Sequence, residues 1–316
     1  MKKNKNKYMW SKSAVLFKQL KPLKIIKINL PNLKKGQILV RIKYSGVCGS
    51  QILEQKGGRP YTKKYLPHML GHEASGIVIK VGPNVKKVKS NDKVILSWIS
   101  GKGCNSGGIK LKYRNTKING GPLTTFNSYS IVSENKVFKK PTFLSMKNAA
   151  LYGCAIPTGA GMILNQLKRR SKNELIFLFG LGGVGLASYL ALKSLGYKKI
   201  IIVEKKITTY KAKIIKKLRL NFIQNNQKNF VKKFNDLKMD KKTVFIDTSG
   251  DISVLQFCIN QSKPKDTILF ASHPMDQKKI FIKPLDFING KKIIGSRGGN
   301  CKQDEDIMKI SKFFKK

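Results

Sequence analysis

Cys48, His72 and Cys154 are the residues of this chain best suited by type to hold a transition metal. Two thiolates and an imidazole make a three-ligand zinc site whose fourth position stays open, the arrangement that does chemistry rather than only bracing a fold. Each residue alone has an ordinary explanation, since a lone cysteine is usually a small buried hydrophobe and a lone histidine a hydrogen-bonded core residue. All three, however, stand in glycine-rich settings: Gly46-Val47-Cys48-Gly49-Ser50, Gly71-His72-Glu73-Ala74-Ser75-Gly76 and Gly153-Cys154-Ala155-Ile156-Pro157-Thr158-Gly159. A second constellation offers a different chemistry. The apolar run LIFLF ends in Gly180-Leu181-Gly182-Gly183-Val184-Gly185, a helix-like segment follows, and Ile200-Ile201-Ile202-Val203 closes on Glu204, nineteen residues after Gly185. Glycines at these turn positions let the backbone take positive φ, approach a pyrophosphate and pack helix against strand, while the helix N-terminus offers unpaired N–H groups to the anion. A carboxylate at Glu204 can accept hydrogen bonds from both ribose hydroxyls of an adenosine and repels a 2′-phosphate, so the pattern selects NAD over NADP.

Such residues need a scaffold, and the hydrophobic pattern predicts one of two textures. Residues 37–44, QILVRIKY, alternate so that Ile38, Val40, Ile42 and Tyr44 face one way, and short strands follow at Gly76–Val81 and Lys93–Trp98 with Gly and Pro between them. That half reads as mainly β. From about residue 160 strands at 175–179, 200–204, 243–247 and 266–271 alternate with helices to about 195, at 208–219 and near 252–261. Alternation of this kind implies a parallel sheet with crossover helices. The join near 150–165 is expected to be one continuous helix shared by both halves. Residues 175–192 carry no charge and approach the length of a membrane span. Four glycines at their middle, and a split into a β-favouring block and a 3.6-period block (Val184, Leu186, Ala187, Leu190, Ala191, Leu195), favour a buried strand and an amphipathic helix instead.

Composition bounds the partners. A net charge of +48 invites a polyanion, yet the lysines are spread along the whole chain and arginines are few. Recognition of phosphate backbones and base edges favours arginine forks and clustered patches. The charge is therefore read as a compositional bias that attracts polyanions weakly, with no specific nucleic-acid partner and no membrane. Five widely spaced cysteines, Cys48, Cys104, Cys154, Cys258 and Cys301, do not form a disulfide framework, and the basic N-terminus lacks an apolar signal core. A reducing cytoplasm is the expected location.

Together the motifs resemble those of the zinc-containing medium-chain alcohol dehydrogenase family: GVCGS, GHEASGIVIKVGPNV, GCAIPTGAG and FGLGGVG with Glu204 fall in family order. The resemblance implies a mainly β, GroES-like catalytic domain over residues 1–155, completed by 296–316, and a doubly wound Rossmann domain over 156–295. It implies that Cys48, His72 and Cys154 bind a catalytic zinc, that Ser50 passes the alcohol proton, and that Thr158 sits beside the nicotinamide of NAD. Glu73 would be a carboxylate behind the metal or, as in polyol-type members, a direct ligand. Arg297 would contact cofactor phosphates, the backbone near His273 would hold the carboxamide, and His68 and His273 would otherwise be structural. The substrate would be a small alcohol or its aldehyde or ketone, and the assembly a homodimer or homotetramer.

Departures from the family pattern carry their own expectations. Only Cys104 remains where many members hold a structural zinc with four cysteines, so no structural zinc is expected. Gln51 follows Ser50 where the family places an acid or Thr, and Leu53 stands where some relatives have a proton-shuttling His, which ends the relay at Ser50 and the ribose. The chain stops at Lys316, several tens of residues before its relatives, which implies either a fragment or an apolar surface left for association. Two other functions follow from these features: a polyol or sugar dehydrogenase with Glu73 on the metal in place of Cys154, and a catalytically impaired cofactor-binding protein.

Overall fold

β-branched and aromatic side chains fill the pairing segments of both halves of the chain, which is what pleated, two-sided burial requires. The computed structural model describes residues 9–167, 171–225, 229–239, 241–271 and 278–315, without the side chain of Tyr61. His273, and the expectation attached to it, lies outside the described residues. The chain divides into two units. One runs to Cys154 and takes in Lys302–Ser311; the other runs from Ala155 to Cys301.

Among the described residues the first unit is built on ten strands: β1 (Met9–Leu16), β2 (Lys24–Leu30), β3 (Gln37–Ser45), β4 (His68–Met69), β5 (Glu73–Val81), β6 (Lys93–Ser97), β7 (Lys110–Tyr113), β8 (Thr116–Asn119), β9 (Tyr129–Ser133) and β10 (Val137–Lys139). They form two five-stranded sheets, ordered β2-β1-β4-β8-β7 and β10-β6-β5-β3-β9. Ile38, Val40, Val78, Val94 and Leu96 make one core and Val15, Ile28, Leu39, Met69 and Ile118 another. The alternation expected of 37–44 fails in part: Leu39 is buried alongside Ile38 and Val40, and Tyr44 is exposed. The register of β3 against β5 shifts between Leu39 and Val40 and again between Ile42 and Tyr44. A bulge adds a residue without a partner, so the faces exchange there.

Among the described residues the second unit carries six parallel strands: β11 (Leu175–Phe179), β12 (Ile200–Glu204), β13 (Phe222–Gln224), β14 (Thr243–Asp247), β15 (Thr267–Phe270) and β16 (Lys292–Gly295), in the order β13-β12-β11-β14-β15-β16. The order reverses beside β11, so the crevice at its carboxyl end is where an open α/β sheet takes a ligand. Phe177, Phe179, Phe234 and Phe245 fill the core on one face of this sheet. Among the described residues no helix is long and apolar enough to cross a membrane.

The continuous helix expected over 150–165 is not formed. A helix α1 (Gly49–Gln55) follows β3, and α2 (Met146–Ala150) leads into a 3₁₀ turn at Leu151–Gly153. Cys154 then leaves helical geometry at φ −151° and ψ −72° before α3 (Ala155–Gly161) and a π-helical turn at Met162–Gln166. Pro157 is the reason. An unbroken helix would need its N–H to donate to the Gly153 carbonyl, and proline has none. The Ser97 hydroxyl donates to that carbonyl instead, at 2.7 Å.

Helix α4 (Gly183–Ser194) also departs from expectation. Its buried residues are Gly185, Ala187, Ser188, Tyr189, Ala191 and Leu192, whereas Val184, Leu186, Leu190 and Leu195 are only partly covered. Small residues carry the contact because the backbone of α3 comes close: Ser188 Oγ donates to the carbonyls of Gly159 at 3.1 Å and Val184 at 3.0 Å.

Candidate metal and dinucleotide sites

Strand β3 delivers the chain into Gly46-Val47 and places Cys48 as the residue capping the N-terminus of α1. His72 stands immediately before β5, after Gly71 in the left-handed region at φ +90°. A side chain there would meet Thr125 Oγ1 and the Phe126 amide as well as adopt a disfavoured φ, so glycine is required. Cys154 follows the 3₁₀ turn, in the backbone break described above. These three elements bring one donor atom from each of Cys48, His72 and Cys154 within 4.8 Å of one another.

The electrostatics of the cluster belong to a pair of thiols sharing a proton. The Cys154 thiol donates to Cys48 Sγ at 4.0 Å, and Ser50 Oγ donates to the same sulfur at 3.3 Å. The hydrogen bond from Cys154 brings the Cys48 pKa down to about 3, against the opposing effect of burial and with help from His72 and Ser50. Cys154 moves the other way, raised by its bond to the Cys48 thiolate, by burial and by the charges of Cys48 and Glu73. His72 Nε2 is buried and has no hydrogen-bond partner among the described residues. A preformed thiolate, a second sulfur beside it and an unpartnered imidazole nitrogen fit a zinc ion, whose preferred donors are these.

Glu73 is buried on the same strand, but it is not among the side chains whose donor atoms fall within that reach. Its carboxylate lies against Gly46, where a Cβ would come within 2.4 Å of Oε1. Gln51, unassigned by the sequence, receives a place: its Oε1 accepts the Gly71 N–H and so ties α1 to the residue preceding His72. His68 Nε2 lies 2.7 Å from Glu54 Oε1, a structural contact. Cys104 is remote from the cluster; its sulfur packs on Gly36 and its backbone N–H donates to the buried Glu134 at 2.8 Å.

In the second unit the glycines of the turn divide the work that the sequence assigned to all of them. Only Gly180 takes positive φ, at +92°. Gly185 is needed for contact, because a Cβ there would stand 2.0 Å from the Gly180 carbonyl oxygen. Gly182 and Gly183 open α4, with nothing within 4 Å of a Cβ at Gly182 and only Ala155 Cβ, at 3.4 Å, near one at Gly183, while Val184 is part-covered in the first turn. Beside the turn is a cleft of about 310 Å³ lined by Gly180, Leu181, Gly182, Glu204, Lys205, Lys211, Asn225, Ser249 and Asp251 among others. Thr158 is buried on α3 with its hydroxyl unpartnered among the described residues, and Arg297 is exposed on the turn after β16.

Residues 34–142, which contain Cys48 and His72, match the family model of the alcohol dehydrogenase GroES-like domain. The S-(hydroxymethyl)glutathione dehydrogenase of Photobacterium damsela subsp. piscicida is 33% identical over 204 residues, 57% of this chain and 54% of the relative. Over residues 34–142 the chain is similar to alcohol dehydrogenase GroES-like domains. Its matches span a little over half the length of such curated relatives. Solved structures share the fold across nearly all of the chain. Benzyl alcohol dehydrogenase from Acinetobacter calcoaceticus superposes with a TM-score of 0.82 at 22% identity, over 97% of this chain and 89% of its own. An alcohol dehydrogenase zinc-binding domain protein from Burkholderia ambifaria does so with 0.83, at the same identity and coverage.

Proposed function

We propose that this chain is a zinc-dependent oxidoreductase that moves a hydride between a small alcohol, or its aldehyde or ketone, and NAD. The observation that carries the reading is the convergence of Cys48, His72 and Cys154 donor atoms within 4.8 Å in a GroES-like unit. The same chain supplies a Gly180–Gly185 turn at the switch point of a parallel sheet. Bound zinc would supply a Lewis acid that polarises the substrate oxygen and lowers the pKa of a hydroxyl. Cys154 rather than Glu73 is the third ligand in this reading, because its sulfur lies 4.0 Å from that of Cys48 while the carboxylate lies against Gly46.

In this reading each site residue of the two units has its own task. Ser50 Oγ, beside Cys48, takes up the proton leaving the substrate hydroxyl and passes it to solvent. Thr158 offers its unpartnered hydroxyl to the nicotinamide end, the Gly180–Gly185 turn and the α4 N-terminus bind the pyrophosphate, Arg297 adds a phosphate contact, and Glu204 meets the adenosine ribose. Five cysteines without a disulfide are in keeping with a reducing, cytoplasmic location in this reading, and the family resemblance supports a homo-oligomer.

A spectrophotometric screen of NAD-linked turnover, with zinc determined on the same sample, tests the reading. Benzyl alcohol, S-(hydroxymethyl)glutathione, a polyol, an aldose and the corresponding carbonyls make a suitable panel. Turnover of at least one alcohol by protein holding about one zinc per chain is expected, with loss on chelation and recovery on zinc addition. Turnover that survives complete removal of zinc would refute it.

A further inference from the structure

The acid at the end of β12 has no acceptor site left to give. Glu204 Oε2 accepts the Leu181 N–H at 2.8 Å and the Lys211 ammonium at 2.6 Å. Its Oε1 accepts the N–H groups of Lys205 at 2.9 Å and Lys206 at 3.3 Å. A carboxylate offers about four lone-pair sites, so this one is saturated. Three of the four donors are main-chain groups fixed by the turn after β11 and the exit from β12. Only the Lys211 side chain can leave without moving backbone.

That geometry alters what the cleft can recognise. A ribose diol that donates both hydroxyl protons to Glu204 must displace Lys211 from it. A 2′-phosphate, which a bare carboxylate would repel, meets instead an acid already neutralised by an ammonium at 2.6 Å. Lys205 lines the same cleft on a mostly exposed side chain, held only at 3.7 Å by Asp251. Two cations therefore stand beside one masked anion.

Resting on the reading that this cleft takes a dinucleotide, we propose that Lys211 sets coenzyme choice in this chain: by masking Glu204 it admits the 2′-phosphate, so that NADP(H) binds comparably to NAD(H). The preference for NAD that Glu204 alone implies is thereby relaxed.

Direct binding tests this without any turnover. Dissociation constants for NADH and NADPH are measured by nicotinamide fluorescence on the full chain, for wild type, Lys211→Met, Lys211→Arg and Glu204→Gln, with far-UV circular dichroism on each. In wild type the two constants are expected to lie within about ten-fold of one another, and Lys211→Met to weaken NADPH at least about ten-fold relative to NADH, the scale of one charge-assisted contact. Lys211→Arg keeps the wild-type ratio, and Glu204→Gln shifts it toward NADPH. A wild-type ratio above ten-fold in favour of NADH, or a ratio unmoved by Lys211→Met, would overturn the inference while leaving the dinucleotide reading intact. Failure of folded wild type to bind either dinucleotide would overturn both.

Discussion

Cys48→Ser and Cys154→Ser are each expected to abolish metal binding while keeping the fold, and turnover is expected to fall with it. The zinc content is expected to drop from about one per chain to a small fraction, because serine stays protonated where a thiolate would ligate. Removing a Lewis acid that contributes several kcal/mol to the transition state costs about 10³-fold or more in kcat/KM. The substitutions are nearly isosteric, and Cys154 Sγ lies only 4.0 Å from the sulfur of Cys48, so neither leaves a large void. His72→Ala is expected to join them in both readouts, since His72 Nε2 is buried with no hydrogen-bond partner among the described residues. Metal analysis by mass spectrometry alongside steady-state kinetics decides the matter; variants that keep wild-type zinc and wild-type turnover would remove these residues from the site.

Gly185→Ala is the second substitution with a large effect, on the dinucleotide cleft. Its Cβ would stand 2.0 Å from the Gly180 carbonyl oxygen, inside any real contact distance, and the obstacle is backbone rather than a flexible side chain. Helix α4 must move away from β11, which costs about 1–3 kcal/mol in an overpacked site. The movement also withdraws the helix N-terminus from the pyrophosphate, and NADH affinity is expected to fall by about 100-fold, the loss of two or three charge-assisted contacts. Gly182→Ala is the control. With φ at −92° and nothing within 4 Å of the added methyl, it keeps stability to within about 0.5 kcal/mol. Thermal melts and NADH titration of the two variants separate damage to the fold from damage to the turn; a Gly185→Ala protein with wild-type melting and binding would contradict the account.

Local pattern made some of this legible and tertiary geometry concealed the rest. Strands β11, β12 and β14 match the residues expected of them because a parallel strand buried on both faces is a short unbroken apolar run. The helix α6 (Phe230–Lys238) and strand β13 are absent from the expectation; the three-residue β13 is too short to show a period, and α6 buries little beyond Phe230 and Phe234. Residue types in glycine-rich settings single out Cys48, His72 and Cys154, whose donor atoms the fold brings within 4.8 Å of one another. Gln51 was not readable, because its role depends on an N–H twenty residues away that only the fold brings to its side chain. Glu204 illustrates the same limit. Its position after β12 is a sequence fact, whereas its four donors are set by the path of the turn and by Lys211 on the helix α5 (Thr209–Leu218).

The central claim, that Cys48, His72 and Cys154 hold one metal, is tested most directly by titrating the metal-free chain with Co²⁺ and recording its absorption. Saturation is expected at about one equivalent with thiolate-to-cobalt charge-transfer bands in the near ultraviolet and intense tetrahedral ligand-field bands in the visible, both lost in Cys48→Ser. A folded chain that takes up no cobalt, or binds it without thiolate bands, would contradict it.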